Sequence, residues 1–282
     1  MQKGPSSNIR ALFLDIDGTL VGTDNRISEA VLRAVAKAQE QGIRIGLCTG
    51  RTRYTAEPVA AQLWRPSDYL IVSNGAVAIE TQTETLIHRR LLEPALALEV
   101  ARILVEAGEQ VYVYEPAFRP LLEESRVLYH PDLPVGAFAT PPRYRPYASI
   151  LSELPFVPVS VAAFGAAEAM QALVKAMREV LSEDFSVIQS GTHTMWGVEI
   201  FAAGVNKRSG AERVARRLGI SSQECMAIGD HMNDIELLEW AGIGVAMGDA
   251  PAEVQAVADW TTANVQEDGV AEAIERLLTT RA

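Results

Sequence analysis

The sequence predicts an α/β protein in which a parallel-sheet core is interrupted by an inserted α/β domain. Three observations predict it. Apolar runs of strand character alternate with amphipathic helical stretches over residues 9–76, the pattern of strands joined by helical crossovers. Each of these strands stops in a small, polar or charged cluster: Asp15-Ile16-Asp17-Gly18-Thr19, then Thr49-Gly50-Arg51, then Ser73-Asn74-Gly75-Ala76. The same texture returns after Gly204, beyond a long stretch of different character.

The first strand is Ile9 to Leu14, and it runs directly into two carboxylates one residue apart. Ser28 is placed as a helix N-cap. Val31, Leu32, Val35 and Ala38 then mark one helical face, and Gly42 is the stop. Ile43 to Cys48 is a second strand, followed by a helix to about Leu63, and Asp68 to Val72 is a third.

The texture then changes. Val77 to Glu80 and Thr85 to Arg89 suggest a β-hairpin, and Pro94 opens a helix through about Ala107. Val111 to Tyr114 reads as a strand. Prolines 131, 134, 141, 142, 146, 155 and 158 argue against long helices between Glu115 and Pro158. Val159 to Phe164, a helix from Ala166 to Leu181, Phe185 to Gln189 and Gly197 to Ile200 complete a second α/β set. The expected division is a core of residues 1–89 and 193–282 with residues 90–192 inserted.

After Gly204, Lys207 opens a helix ending near Gly219. Cys225 to Ile228 is a buried strand that stops at Gly229-Asp230-His231-Met232-Asn233-Asp234. Ile235, Leu237 and Leu238 belong to a following helix, Ile243 to Ala246 to a strand, and Val270 to Leu278 to the last helix.

Composition bounds the function. The chain has 282 residues, 48% apolar and 22% charged, as for a globular protein of one large or two smaller domains. A net charge of −11 argues against a general binder of nucleic acid or anionic membrane. It leaves room for a small anionic substrate, because a metal and local cations invert the field inside a cleft. The N-terminal residues lack the apolar core of a signal peptide, and no run approaches membrane-spanning length. Cys48 and Cys225 form no framework spacing and read as reduced, packed thiols of a cytoplasmic protein.

In an open α/β sheet, ligands bind beyond the carboxyl ends of the strands, so the strand-end clusters are where chemistry belongs. Taken singly, each has a plainer reading. Asp17-Gly18-Thr19 reads as a turn, Thr49-Gly50 as a capped strand-to-helix turn, Lys207 as a solvated lysine, and Asp230 and Asp234 as helix-start acids. Those readings give no reason for all of them to fall on one rim. Asp15 and Asp17 repel each other, and a hard divalent cation with oxygen ligands offsets such a pair.

The order of these clusters resembles that of the haloacid-dehalogenase-like (HAD) phosphatases. Asp15-Ile16-Asp17-Gly18-Thr19-Leu20 is similar to the first motif of that superfamily, Thr49 to the second, Lys207 to the third and Gly229-Asp230-His231-Met232-Asn233-Asp234 to the fourth. An insertion between the second and third motifs looks like that of the Cof-type subgroup with a large α/β cap. Ser73-Asn74-Gly75-Ala76, Val245-Ala246-Met247-Gly248 and Glu267-Asp268-Gly269-Val270 are further subgroup-like stretches, while Asp249 stands where the subgroup usually has Asn.

The resemblance implies a Rossmann-like core and a Mg2+-dependent phosphatase that hydrolyses small phosphorylated metabolites, sugar phosphates foremost, through an aspartyl-phosphate. It implies Asp15 as nucleophile and Asp17 as general acid and base. Thr49, Gly50 and Lys207 would hold the phosphoryl oxygens, with Asn233 and Arg51 as further substrate contacts. Asp15, the Asp17 carbonyl and Asp230 would be metal ligands, with Asp234 behind them. The cap would select the leaving group, with Tyr112, Tyr114, Arg119, Arg143, Arg145, His193 and Trp196 as candidates. Two rival readings are a phosphate-storing regulatory module, which needs neither Asp17 nor a lid, and C–halogen hydrolysis, which needs neither Asp17 nor a metal.

Overall fold

A computed structural model describes residues 8–116, 126–133, 144–181, 184–192 and 195–281. The chain divides into two compact units, Met1–Arg89 with Asn206–Ala282, and Arg90–Val205.

The first unit contains β1 (Ala11–Leu14), α1 (Glu29–Glu40), β2 (Arg44–Cys48), α2 (Arg53–Ala60), β3 (Tyr69–Val72), β4 (Val77–Glu80) and β5 (Thr85–Arg89). The second contains α3 (Pro94–Glu106), β6 (Tyr112–Tyr114), β7 (Val127–Tyr129), β8 (Tyr144–Pro146), β9 (Ser160–Gly165), α4 (Ala167–Val180), β10 (Phe185–Thr192) and β11 (Met195–Ala202). The chain then returns to the first unit with α5 (Lys207–Leu218), β12 (Cys225–Gly229), α6 (Ile235–Trp240), β13 (Ile243–Ala246), α7 (Ala252–Val257), β14 (Trp260–Thr261) and α8 (Gly269–Arg281).

The first sheet has the order β14-β13-β12-β1-β2-β3-β4-β5. Its strands are parallel from β14 through β3, and β4 and β5 add in antiparallel fashion. The predicted hairpin, which falls within the expected core, continues the parallel strands as two antiparallel ones, so the sheet is mixed. Consecutive strands β1 and β2 lie side by side, while β12 flanks β1 on the other edge. The carboxyl end of β1 is thus a point where strand order reverses, the place where such sheets bind ligands.

Burial on both faces explains the continuous apolar strands. All four residues of β1 are buried. Ala11 and Phe13 join a core with Ala211, Val214, Leu237 and Leu238, so α5 and α6 cover that face. Helix α1 packs on α8. Its Ser28 cap accepts a hydrogen bond from the Val31 amide at 3.2 Å, and Val31, Ala34, Val35 and Ala38 are its buried stripe. Helix α2 stops at Ala60, short of the expected Leu63, because Gln62 and Leu63 donate to Val59 and Ala60 and tighten the last turn.

The second unit is a six-stranded sheet of order β10-β11-β9-β6-β7-β8. Val113, Val161, Val198 and Ile200 on one face pack with Leu96, Val100 and Leu104 of α3 and Met170 and Met177 of α4. Strand β11 pairs with β9 and β10, so the sheet of this unit extends past the expected end of the insertion at 192. Pairing carries β10 through Ser190-Gly191-Thr192, where local apolar character has already run out.

Candidate active site

Four strand ends and one helix start supply the site. Asp15 follows β1, Thr49 follows β2 and Asn74 follows β3, while Asp230 and Asp234 follow β12. Lys207 is the first residue of α5, whose Asn206 cap and Ser209 exchange hydrogen bonds across the helix start.

Lys207 is the centre of this cluster, only 1% exposed. Its Nζ lies 2.8 Å from Asp15 Oδ1 and 2.7 Å from Asp234 Oδ1. Burial alone would favour the neutral amine, but Asp15 and Asp234 overcome it and hold the ammonium above its ordinary pKa. This resolves the cost of a cation at a helix start: two carboxylates face it.

Asp15 is buried. That burial drives its carboxyl well above the usual range; Lys207 pulls it down, and Asp234 and Asp230 push it up. Burial first and Asp234 second also raise Asp230, against the Thr19 hydroxyl, which donates to Asp230 Oδ1 at 3.0 Å. Gly18 makes this approach feasible. Its φ is +78°, and a Cβ there would lie 2.2 Å from Asp230 Oδ2.

Asp234 has both oxygens committed. Oδ1 faces Lys207, and Oδ2 accepts from the amides of Asp230 at 3.2 Å and His231 at 3.1 Å. It therefore folds the loop that presents Asp230. One carboxylate oxygen from each of Asp15, Asp230 and Asp234 lies within 4.8 Å of the others. Three acids against one ammonium, all with oxygen donors, fit a hard divalent cation. Asp15 and Asp230 are the pair with carboxylate capacity to spare for direct ligation.

Asp17 stands apart from this group. Its exposed carboxylate is held by Arg51, with Nε donating to Oδ2 at 2.8 Å and Nη2 to Oδ1 at 2.5 Å. Arg51 in turn donates to the Asn25 side chain and, at 3.0 Å, to the Thr55 carbonyl. The Arg51 amide donates to Thr49 Oγ1 at 3.1 Å, which leaves the buried Thr49 hydroxyl its own hydrogen to donate elsewhere. Asn233 Nδ2 donates to Asn74 Oδ1 at 2.9 Å, against the Cα of Gly50.

The cluster thus brings together Asp15, Lys207, Asp230 and Asp234, with Thr49 and Gly50 on the neighbouring strand end. Thr19, Asn25 and Asn74 also take part, through hydrogen bonds with Asp230, Arg51 and Asn233 that no motif in the sequence assigns to them singly. Thr19 and Asn74 lay within motifs already singled out, and being both polar and destined for burial was the signal they carried. Asp249 is exposed beyond β13.

In the second unit, Tyr112 packs edge-on against Tyr144 and Phe164, each at 5.6 Å between ring centres. Burial pushes the Tyr114 phenol up, with Tyr144 and Glu199 adding to it. Arg145 donates to the Tyr144 carbonyl, and Trp196 packs on the helix side of the sheet. Arg119, Arg143 and His193 lie outside the described residues.

The sequence pattern of the haloacid dehalogenase-like hydrolases matches residues 12–274. The chain is 28% identical over 265 residues to the 5-amino-6-(5-phospho-D-ribitylamino)uracil phosphatase YitU of Bacillus subtilis, covering 92% of this chain and 94% of that one. It is 26% identical over 297 residues to the phosphatase YwpJ of the same bacterium, covering 96% and 100%. BT1666 of Bacteroides thetaiotaomicron, described among phosphatases of the HAD superfamily, shares the fold with a TM-score of 0.77 at 25% identity, over 96% of both chains. With the match extending from β1 to α8, the chain belongs to the haloacid dehalogenase-like hydrolase family.

Proposed function

We propose that this phosphoric monoester hydrolase cleaves small phosphorylated metabolites, sugar phosphates foremost, through an aspartyl-phosphate on Asp15. One observation carries the reading: Asp15 sits buried at the end of β1, 2.8 Å from the Lys207 ammonium and beside Asp230 and Asp234. A carboxylate is a weak nucleophile, but it divides one difficult displacement into two easier ones.

Asp15 Oδ attacks phosphorus, a new O–P bond forms, and the bond from phosphorus to the alcohol oxygen breaks. Asp17 gives its proton to that oxygen as it departs. Water then attacks the phosphorus of the aspartyl-phosphate, Asp17 takes a proton from it, and phosphate leaves with Asp15 restored. Lys207, the Thr49 hydroxyl, the Gly50 backbone and Asn233 hold the phosphoryl oxygens, where positioning and charge stabilisation supply most of the catalysis. Asp15, the Asp17 carbonyl and Asp230 would hold Mg2+, with Asp234 behind them, and the ion would neutralise charge on the phosphoryl oxygens. Arg51 acts first on Asp17, and on the substrate through it.

The second unit, as a cap, selects the leaving group. The phosphorylated ribityl compound in the name of YitU supports a small polyol phosphate as the substrate class. A cytoplasmic setting accords with two buried free thiols; among the described residues no helix is long and apolar enough to cross a membrane. A screen of phosphorylated metabolites with Mg2+ present, reading released phosphate, tests the proposal. Preferred turnover of one sugar or polyol phosphate supports it; no turnover of any phosphate monoester contradicts it.

A further inference from the structure

Ser73 and Asn74 both adopt left-handed backbone conformations, with φ of 50° and 53°. Neither is glycine, so the turn after β3 is held there at a cost by its surroundings. The Ser73 amide donates to the Arg51 carbonyl at 2.8 Å and the Asn74 amide to the Thr49 carbonyl at 3.0 Å. On the far side, a Cβ on Gly75 would lie 2.0 Å from the Asn206 carbonyl, so the turn is wedged against the start of α5. Asn74 is only 2% exposed.

Its carboxamide touches two further loops. Oδ1 accepts from Asn233 Nδ2 at 2.9 Å, and a Cβ on Gly50 would lie 3.1 Å from that same oxygen. With one N–H given to Asn74, the Asn233 amide has a second to donate to an anion. A flipped Asn233 would set two carbonyl oxygens against each other, so Asn74 also decides which way that amide faces. We propose that Asn74 is a positioning residue, which fixes the Asn233 amide and the Thr49–Arg51 loop in the one arrangement that holds a phosphoryl group. The inference rests on the phosphatase reading above.

Asn74→Gly keeps the left-handed backbone and deletes the carboxamide. Inorganic phosphate is the probe, as a competitive inhibitor of p-nitrophenyl phosphate hydrolysis. The phosphate Ki and the KM should each rise about tenfold, with kcat changing less. Asn74→Gly combined with Asn233→Ala should lose less than the product of the two single losses, since part of the effect of Asn74 passes through Asn233. Losses that multiply in the double variant, or Asn74→Gly with unchanged constants, overturn the proposal. Asn74→Asp keeps the acceptor but adds negative charge beside the anion, so its Ki should rise further still. An unchanged Ki in Asn74→Asp overturns the proposal too, and this variant decides the matter if Asn74→Gly does not fold. Failure of the phosphatase reading would be separately visible, as a wild type that releases no phosphate.

Discussion

Arg51 grips the Asp17 carboxylate with two nitrogens, Nε on Oδ2 at 2.8 Å and Nη2 on Oδ1 at 2.5 Å. The Asp17 side chain is 60% exposed, so its place is set by this fork and not by packing. Both oxygens are engaged in this arrangement, so the acid role proposed for Asp17 requires Arg51 to release one of them. An alkoxide is a poor leaving group and needs a proton, whereas nitrophenolate is stable without one. Asp17→Asn should slow formation of the phospho-enzyme from a sugar phosphate by about 10²–10⁴-fold, and by markedly less from p-nitrophenyl phosphate. Single-turnover rapid quench measures both rates. Equal fractional losses would remove Asp17 from the role of acid.

The Lys207 ammonium neutralises two buried acids at once. Replacing it by methionine leaves Asp15 and Asp234 facing each other without a cation. Breaking a buried pair from one side costs about 3–5 kcal/mol, so Lys207→Met should lower the urea midpoint sharply at neutral pH. A midpoint equal to the wild type would mean that the ion pairs contribute nothing to the fold.

Glu199 gives the second unit a pH dependence of its own. Burial pushes its carboxyl up to about 7, and the Ser160 hydroxyl, donating to Oε1 at 2.6 Å, only partly opposes this. The folded protein therefore binds more protons than the unfolded chain between the ordinary value of 4.5 and about 7. Stability should fall as pH rises through that window, by on the order of 3 kcal/mol from this group, and stay lower above it. Glu199→Gln should flatten the fall and be the more stable protein at pH ~8. Urea unfolding of both proteins across the window checks the sign, and an unchanged slope in the variant would contradict it.

Chelation supplies a test of the acidic cluster that does not depend on turnover. A cation that binds only the folded state raises the melting temperature in proportion to the logarithm of its concentration. Mg2+ should raise the melting temperature of EDTA-treated wild type and restore its activity. Asp230→Asn should show little of either response. Full turnover in thoroughly chelated enzyme would contradict the metal assignment.

Much of this was legible in the sequence for a simple reason. An apolar strand that stops dead at Asp15 or Asp230 announces a rim, and the α/β order follows from runs of strand and helix period. What was not legible depends on partners far away in the chain. That Asp17 is gripped by Arg51, and Asn233 by Asn74, follows from the adjacency of β1, β2, β3 and β12. The hairpin of β4 and β5 was recognised locally, but its joining the first sheet is a tertiary fact. Strand β11 lies in the second sheet with β9 and β10, in keeping with Gly197 to Ile200 as part of the second α/β set, although the boundary expected at 192 leaves that strand outside it.

In the proposed reaction Asp15 carries the phosphoryl group. Acid quench of the enzyme during turnover of a labelled phosphate monoester, followed by peptide mass analysis, tests it most directly. The label should appear as one phosphoryl group on the peptide containing Asp15, vanish from Asp15→Asn, and accumulate in Asp17→Asn when the substrate is an aryl phosphate, whose departure needs no acid while the second step still lacks its base. Steady turnover by Asp15→Asn, or label on any other residue, would contradict the account.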